Sequence, residues 1–394
     1  MNKNIFTKEV QDYIRENENE DLTRLILSGS PFPDIPISLI AQQIEGRRKA
    51  KSKLPKWYKT PLIYFPPKLN LEQTSSETTA SYKATLVSGK ILCDLTAGLG
   101  IDSYSFSKHF DQVVSCELNP ELAEITRHNY KVLDAKNITV YNEDGIQFLT
   151  ESDQRFDTIY IDPSRRNDAK GKVFMLKDCE PNIPENLDLL LQKADTVIIK
   201  TSPLLDISSG LIELKQVAAI HIVAVKNEVK ELLWVIKNTT ENADLEITAV
   251  NIQKGIQEKT TINYSSASAV SAVFSDPQNY LYEPNAALLK SGLFDWIGSH
   301  FNLNKLHSNS HLYTSDQLID FPGRRFTILE VLPYSKKWIS RKWGNQKANI
   351  TTRNFKESVE SIRRKFKIKD GGEIYLFFTT NSKNQAIVIC CKKV

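Results

Sequence analysis

Between residues 91 and 200 the chain alternates short apolar runs with amphipathic stretches, and few folds accept that pattern. The runs are ILCDL (91–95), QVVSCE (112–117), ITVYN (138–142), FDTIYID (156–162) and DTVIIK (195–200). Helical stretches lie between them. One, PELAEITRHNYKVL, is opened by Asn119 as cap and Pro120 at the first helical position. Strands joined by helices pair in parallel, with both faces of the sheet covered. Two further runs, IHIVAV (220–225) and ELLWVIK (231–237), are separated by only five residues, too few for a crossover helix. The expectation is a parallel sheet closed by an antiparallel hairpin.

At 394 residues the chain exceeds one comfortable core, so two or three domains are expected on length alone. Residues 1–70 carry apolar positions at three- and four-residue steps, broken by Pro31, Pro33 and Pro36, and read as a helical domain ending in the extended connector TPLIYFPPKLN. The α/β pattern occupies 71–245. Short strands and a helical segment follow in 246–320, and a strand–helix–strand–strand module closes the chain over 321–394. No apolar run approaches the roughly 18 residues of a membrane span. The opening MNKNIFTKEVQDYIRENENE lacks the apolar stretch of a secretory signal. Five cysteines without CxxC spacing suit a reducing cytoplasm. The six histidines form no metal-ligand spacing, so no metal is expected.

Net charge is only +4, but it is unevenly placed. RRKAKSKLPKWYK (47–59) holds seven basic residues, two aromatics and no acid, and KKWISRKWGNQK (336–347) and RRKFKIK (363–369) repeat the theme. Such clusters suit phosphate neutralisation with base stacking. For any one cluster a solvated face, or stems covering the core, serves equally well, and three clusters in the flanking regions favour the nucleic-acid reading. The residues singled out for RNA contact are Arg47, Arg48, Lys337 and Arg341, with Trp338 and Trp343 as stacking candidates.

In an open parallel sheet ligands sit beyond the carboxyl ends of the strands. After the first strand comes DLTAGLGID, in which Gly98 and Gly100 let the backbone approach a ligand. The second ends at Glu117, 23 residues past Asp94, where an acid holds ribose hydroxyls. The third leads into NEDG, placing Asp144 to accept from an exocyclic amine, and the fourth into DPSRR (162–166). A dinucleotide fingerprint G-x-G-x-x-G fails at Ser103.

In this ordered set the sequence resembles the class I S-adenosylmethionine-dependent methyltransferases over roughly residues 88–240. KSKLPKW, LEQTSSETTASYKA, YEPNAALLKSGLF and RNFKESVESIRRKFKIKDGGEIYLFFTT extend the likeness to a bacterial family with a THUMP-like C-terminal domain. The resemblance implies a Rossmann-like α/β core, a helical N-terminal domain, a small ferredoxin-like segment and an α+β THUMP-like domain. It implies S-adenosylmethionine as cofactor, held by Asp94, Thr96, Ala97, Gly98, Gly100, Asp102, Glu117, Leu118, Asp144 and Gly145. Because THUMP domains proper bind RNA, it also implies an RNA substrate, tRNA or rRNA.

The acceptor chemistry rests on DPSRR. Enzymes that methylate base nitrogens carry Asp-Pro-Pro and an aromatic here, whereas Ser164 and Arg165 stand in this chain. Carbon-5 methylation needs a cysteine nucleophile after the next strand, where IKTSPLLD offers Ser202. Ribose 2′-hydroxyl methylation employs a Lys-Asp-Lys-Glu set, of which Asp162 and Lys200 supply a part. Asp162, Pro163 and Arg165 are the expected catalytic residues, with Arg165 and Arg166 gripping a phosphate. Two rival functions stay open: an RNA-binding protein whose donor pocket does not turn over, and a methyltransferase acting on protein or a small molecule. Asp162 could also simply cap the next element, and Glu72, Ser75, Ser76, Tyr82 and Lys83 could form either a wall over the donor or a plain capped helix.

Overall fold

The structure is a computed structural model describing residues 1–165, 175–238 and 244–394. It divides into two compact units, Met1–Ile220 with Lys230–Ala243, and His221–Val229 with Asp244–Val394.

The first unit opens with helices α1 (Lys8–Glu16), α2 (Leu22–Ser28), α3 (Ile37–Lys53), α4 (Pro55–Lys59), α5 (Lys68–Gln73) and α6 (Glu77–Ala84). Ile40, Ile44, Trp57 and Phe65 share one core with Leu99, Tyr104, Leu122 and Ile125 from the α/β region. The connector before α5 is extended, as the prolines require, yet pairs with no strand. Side-chain amides satisfy its backbone instead. Gln43 bonds both the N–H and the carbonyl of Phe65, each at 2.9 Å, and Asn129 does the same for Tyr64 at 2.8 and 2.9 Å.

The strands follow in chain order as β1 (Gly89–Asp94), β2 (Phe110–Cys116), β3 (Ile138–Tyr141), β4 (Phe156–Ile161), the short pair β5 (Ser164–Arg165) and β6 (Cys179–Glu180), β7 (Ala194–Thr201), β8 (Val217–Val225) and β9 (Glu228–Lys237). Helices α7 (Ile101–Phe106), α8 (Pro120–Val132), α9 (Gly145–Glu151), α10 (Ile183–Lys193) and α11 (Ile207–Glu213) alternate with them. β1, β2, β3, β4 and β7 run parallel, as the apolar runs predict. β9 lies antiparallel on β7. Strand order runs β9-β7-β4-β1-β2-β3, so order reverses at β1 and β4. There the sheet opens a crevice at its carboxyl edge. The β8–β9 link is two residues rather than five. Lys226 and Asn227 both take positive φ, 53° and 62°, which matches the twist of a tight hairpin.

In the second unit β10 (Glu246–Gln253) and β11 (Ile256–Asn263) form an antiparallel hairpin. A seven-stranded sheet follows, built from β12 (Tyr280–Pro284), β13 (Asn304–Lys305), β14 (Tyr313–Ser315), β15 (Gly323–Pro333), β16 (Asn349–Thr352), β17 (Ile374–Thr380) and β18 (Ala386–Lys393). Its order, β13-β14-β12-β15-β18-β17-β16, makes one sheet of segments that the sequence pattern separates near residue 320. Helix Lys336–Trp343 and strand β16 add to the pattern read from sequence. That helix buries only Ile339, which leaves too little apolar signal to announce it.

Candidate functional site

The carboxyl ends of the parallel strands line a cleft of about 1210 Å³. Asp94, at the end of β1, is wholly buried. Its Oδ1 accepts from the Thr96 N–H at 3.0 Å and its Oδ2 from the Ser103 hydroxyl at 2.5 Å. Burial pushes this carboxyl up to about 7 against the pull of those two donors. Thr96 braces two strand ends, because its hydroxyl accepts from the Asp162 N–H at 2.7 Å. The Ala97 N–H donates to the Cys116 carbonyl at 2.9 Å, which fixes the loop against β2.

The two glycines of this loop answer different needs. Gly98 has φ +56°, and a Cβ built on it would meet nothing within 4 Å. Its surface therefore opens on the cleft. Gly100 has φ +79°, and a Cβ there would stand 2.0 Å from the Tyr130 hydroxyl oxygen. Tyr130 also donates to the Gly100 carbonyl at 3.0 Å. Tyr130 thus fills the side of Gly100 that a Cβ would occupy.

Glu117 follows β2 and is held at both oxygens. Oε2 accepts from the Gly98 N–H at 2.8 Å and Oε1 from the Asn119 N–H at 2.7 Å. Burial raises its carboxyl above the ordinary range, opposed by those two bonds. Leu118 beside it is 69% exposed although apolar. Asp144 caps α9 through Oδ1, which accepts from Ile146 and Gln147 N–H at 2.9 Å each. Gly145 lies against β1, since a Cβ there would come 2.3 Å from the Leu95 carbonyl oxygen.

Asp102 also lines the cleft, but its contacts point into the protein. Oδ2 accepts from the hydroxyls of Ser75 and Tyr160, both at 2.8 Å, and the Lys83 ammonium stands 3.2 Å from Oδ1. Burial would raise this carboxyl, yet Lys83 and Lys200 hold it below the usual carboxylate range. The segment before α6 reaches the site as well, through Asn70, Gln73, Thr74 and Ser75. Lys53 fixes the base of that segment, donating to the Leu71 and Glu72 carbonyls at 2.9 and 2.8 Å. Burial, then the Lys200 and Lys49 charges, push it down to about 8.

On the opposite wall Asp162 and Pro163 follow β4, and Arg165 sits on β5, its backbone paired with Cys179. Lys200, on β7, bonds Asp162 Oδ2 through its ammonium group. Lys230 also lines the cleft. Glu231 is missed from sequence entirely. The signal was an acid opening an apolar strand, ELLWVIK, which the structure buries almost completely. Among the described residues no group of three or more His, Cys, Asp or Glu is placed to hold a metal ion.

The basic clusters separate in the structure. Arg47 reaches Glu18 Oε2 at 3.4 Å and stacks over Tyr58 at 4.8 Å, and Arg48 donates to the Glu18 and Glu20 carbonyls. Both guanidinium groups are thus turned to the segment between the first two N-terminal helices. Lys337 and Arg341 are exposed on helix Lys336–Trp343, beside Trp338 at 47% exposure. Trp343 packs instead against the core of that unit. Arg166 lies outside the described residues.

Comparisons with known proteins agree with this architecture. The family described as THUMP domain-like matches residues 323–393, a ferredoxin-like domain matches 280–322, and ribosomal RNA adenine dimethylase matches 78–176. A crystal structure from Porphyromonas gingivalis W83, described as that of a methyltransferase, is 32% identical and superposes with a TM-score of 0.87, covering 100% of this chain and 98% of that one. An uncharacterized S-adenosylmethionine-dependent methyltransferase of Mycobacterium tuberculosis H37Rv is 20% identical over 320 residues, or 78% of this chain and 82% of that protein. An uncharacterized protein of Acanthamoeba polyphaga mimivirus is 31% identical over 74 residues, and the match spans 29% of its length.

Proposed function

Since the chain belongs to the S-adenosylmethionine-dependent methyltransferases with a THUMP-like C-terminal domain, we propose that it methylates a nucleotide of tRNA or rRNA. The observation that carries this reading is one cleft receiving four successive strand ends, with the open edge of Gly98 at its floor. The residues suit the donor on their own terms. Gly98 admits a ligand against its backbone. Glu117, pinned by two N–H groups, presents a fixed carboxylate to ribose hydroxyls. Asp144 stands where an exocyclic amine would donate, with the apolar Leu118, Leu122 and Ile146 beside it for an adenine ring. Asp94, Thr96, Ala97, Gly100, Asp102 and Gly145 shape the loops that hold these groups in place.

When bound, S-adenosylmethionine supplies an electrophilic methyl group on a sulfonium. The protein's share is to align the acceptor and take one proton. Asp162 is the acceptor-side group, fixed at its N–H by Thr96 and at its carboxylate by Lys200. The Pro163 carbonyl and Arg165 complete that wall. Arg166 stays within the proposal as a phosphate contact on sequence grounds alone.

An RNA acceptor is supported by the THUMP-like module and by the exposed Lys337, Trp338 and Arg341 surface. Phosphate neutralisation beside an exposed indole is the combination that RNA binding uses. All five cysteines are free thiols, which suits a reducing cytoplasm as the place of action. Modified nucleosides from cells with and without the gene, compared by mass spectrometry, test the reading. One methylated nucleoside should vanish from tRNA or rRNA of the deletion strain. Unchanged RNA, together with calorimetric binding of S-adenosylhomocysteine to the purified chain, would overturn it.

A further inference from the structure

The Lys200–Asp162 pair belongs to a larger buried set. Lys83 is fully buried on α6 and donates to both oxygens of Glu231, at 3.0 and 2.8 Å, and to the Ser75 hydroxyl at 2.9 Å. Its ammonium also stands 3.2 Å from Asp102. Glu231 and Asp102 in turn act on Lys200, whose own head bonds Asp162. Four elements thus contribute to one charge array: Lys83 before β1, Asp162 after β4, Lys200 on β7 and Glu231 on β9. The Lys-Asp-Lys-Glu set that Asp162 and Lys200 only half supply in sequence is completed by Lys83 and Glu231 in space.

From this geometry we propose that the acceptor atom is a ribose 2′-hydroxyl oxygen, with Lys200 and Asp162 as catalytic residues and Lys83 and Glu231 as positioning residues. The proposal rests on the reading of this chain as an RNA methyltransferase. Charge decides between acceptor types. A neutral base nitrogen gains positive charge as it attacks, and an ammonium beside it opposes that change. A hydroxyl oxygen gains negative character as its proton leaves, and the same ammonium stabilises it. In the reaction the acceptor oxygen forms the new O–C bond to the methyl carbon while the C–S bond breaks. The electron pair of that bond passes to sulfur, leaving a neutral thioether, and the hydroxyl proton passes to Asp162 and then to water.

Lys200 suits the role of a fixed cation rather than a base. Burial would strip its proton, but Asp162, Asp102 and Glu231 together hold the ammonium charged above the ordinary lysine range. The Lys200 charge in turn helps to lower Lys53, on α3. Lys83 does not line the cleft. Its effect passes through Glu231 and Asp102, which it keeps in place and partly neutralises. Ser164 and Arg165, standing where a base-stacking aromatic would follow Asp-Pro, agree with an acceptor on the sugar rather than the base.

The test uses the full-length chain, S-adenosylmethionine with a trideuterated methyl group, and total RNA from a strain deleted for the gene. Digested nucleosides are fragmented so that ribose and base are weighed separately. The label should appear on the ribose of one nucleoside. Lys200→Met should slow transfer by about 100-fold or more, with S-adenosylhomocysteine affinity changed less than about 3-fold. Label on a base overturns the hydroxyl assignment and leaves the RNA reading standing. No label on any RNA overturns that reading, and this proposal with it. Glu231→Gln should lower kcat and move the alkaline limb of the pH–rate profile to lower pH, because one carboxylate holding Lys200 charged is gone. Lys83→Arg should restore most of what Lys83→Met loses. A variant that only unfolds earlier, with an unmoved pH profile, would overturn the positioning role.

Discussion

Replacing the two glycines of the first loop by alanine should separate a ligand-facing glycine from a packing one. Both sit at positive φ, +56° for Gly98 and +79° for Gly100, so either alanine carries about 1–2 kcal/mol of left-handed strain. For Gly98→Ala the cost to folding stops there, because no atom lies within 4 Å of the added methyl. Gly100→Ala adds more. Its methyl would fall 2.0 Å from the Tyr130 hydroxyl oxygen and 2.8 Å from Thr126 Cγ2, and Tyr130 is buried. Overpacking adds about 1–3 kcal/mol, and disturbing the Tyr130 bond to the Gly100 carbonyl adds about 1 kcal/mol more. The total is about 3–6 kcal/mol. A kcal/mol moves Tm by about 2–4 °C in a unit of 150–250 residues. Thermal unfolding should therefore show Gly100→Ala melting well below Gly98→Ala. Calorimetry with S-adenosylhomocysteine should rank them differently, since the Gly98 methyl projects into the donor cleft. At least a tenfold loss of affinity, about 1.4 kcal/mol, is expected for Gly98→Ala. Affinity unchanged in Gly98→Ala, or equal melting of the two variants, would refute the reasoning.

Asp94, pushed up to about 7 by burial, keeps its proton in the folded chain where an unfolded one has released it. Stability should thus fall as pH rises from about 4 to 7, and Asp94→Asn should flatten that fall in urea unfolding measured at several pH values. Lys83→Met strands the buried Glu231 carboxylate and should cost about 3–5 kcal/mol, part of which the double variant with Glu231→Gln recovers in chemical denaturation. Arg47→Ala with Arg48→Ala should lower Tm and leave RNA affinity within about twofold, because both guanidinium groups serve Glu18 and Glu20. Lys337→Ala with Arg341→Ala should leave Tm alone, weaken RNA binding and reduce the salt slope by about 2. Filter binding across a salt series reads both pairs.

The periodic parts of this protein were legible from residues alone. The parallel strands, the cap at Asn119, and the order of Asp94, Glu117, Asp144 and Asp162 along the chain are local signals. Each depends on neighbours a few positions away: alternating apolar runs, a cap before a helix, an acid at a strand end. The same locality hides what distant residues contribute. Gly100 looked like Gly98 until Tyr130, thirty residues on, filled its empty side. Glu18 and the backbone at Glu20 engage two arginines of the 47–59 cluster, a pairing that the cluster's own residues do not announce.

What the residues determined by themselves was the sheet, its hairpin and the rim proposed to hold the ligand, because backbone geometry and apolar periodicity repeat along the chain. What only the tertiary structure decided was the company each charge keeps. Lys83 and Glu231 are 148 positions apart and meet at 2.8 Å. Electrostatic interaction depends on distance in space and on exclusion of water, and neither quantity is written in the order of residues.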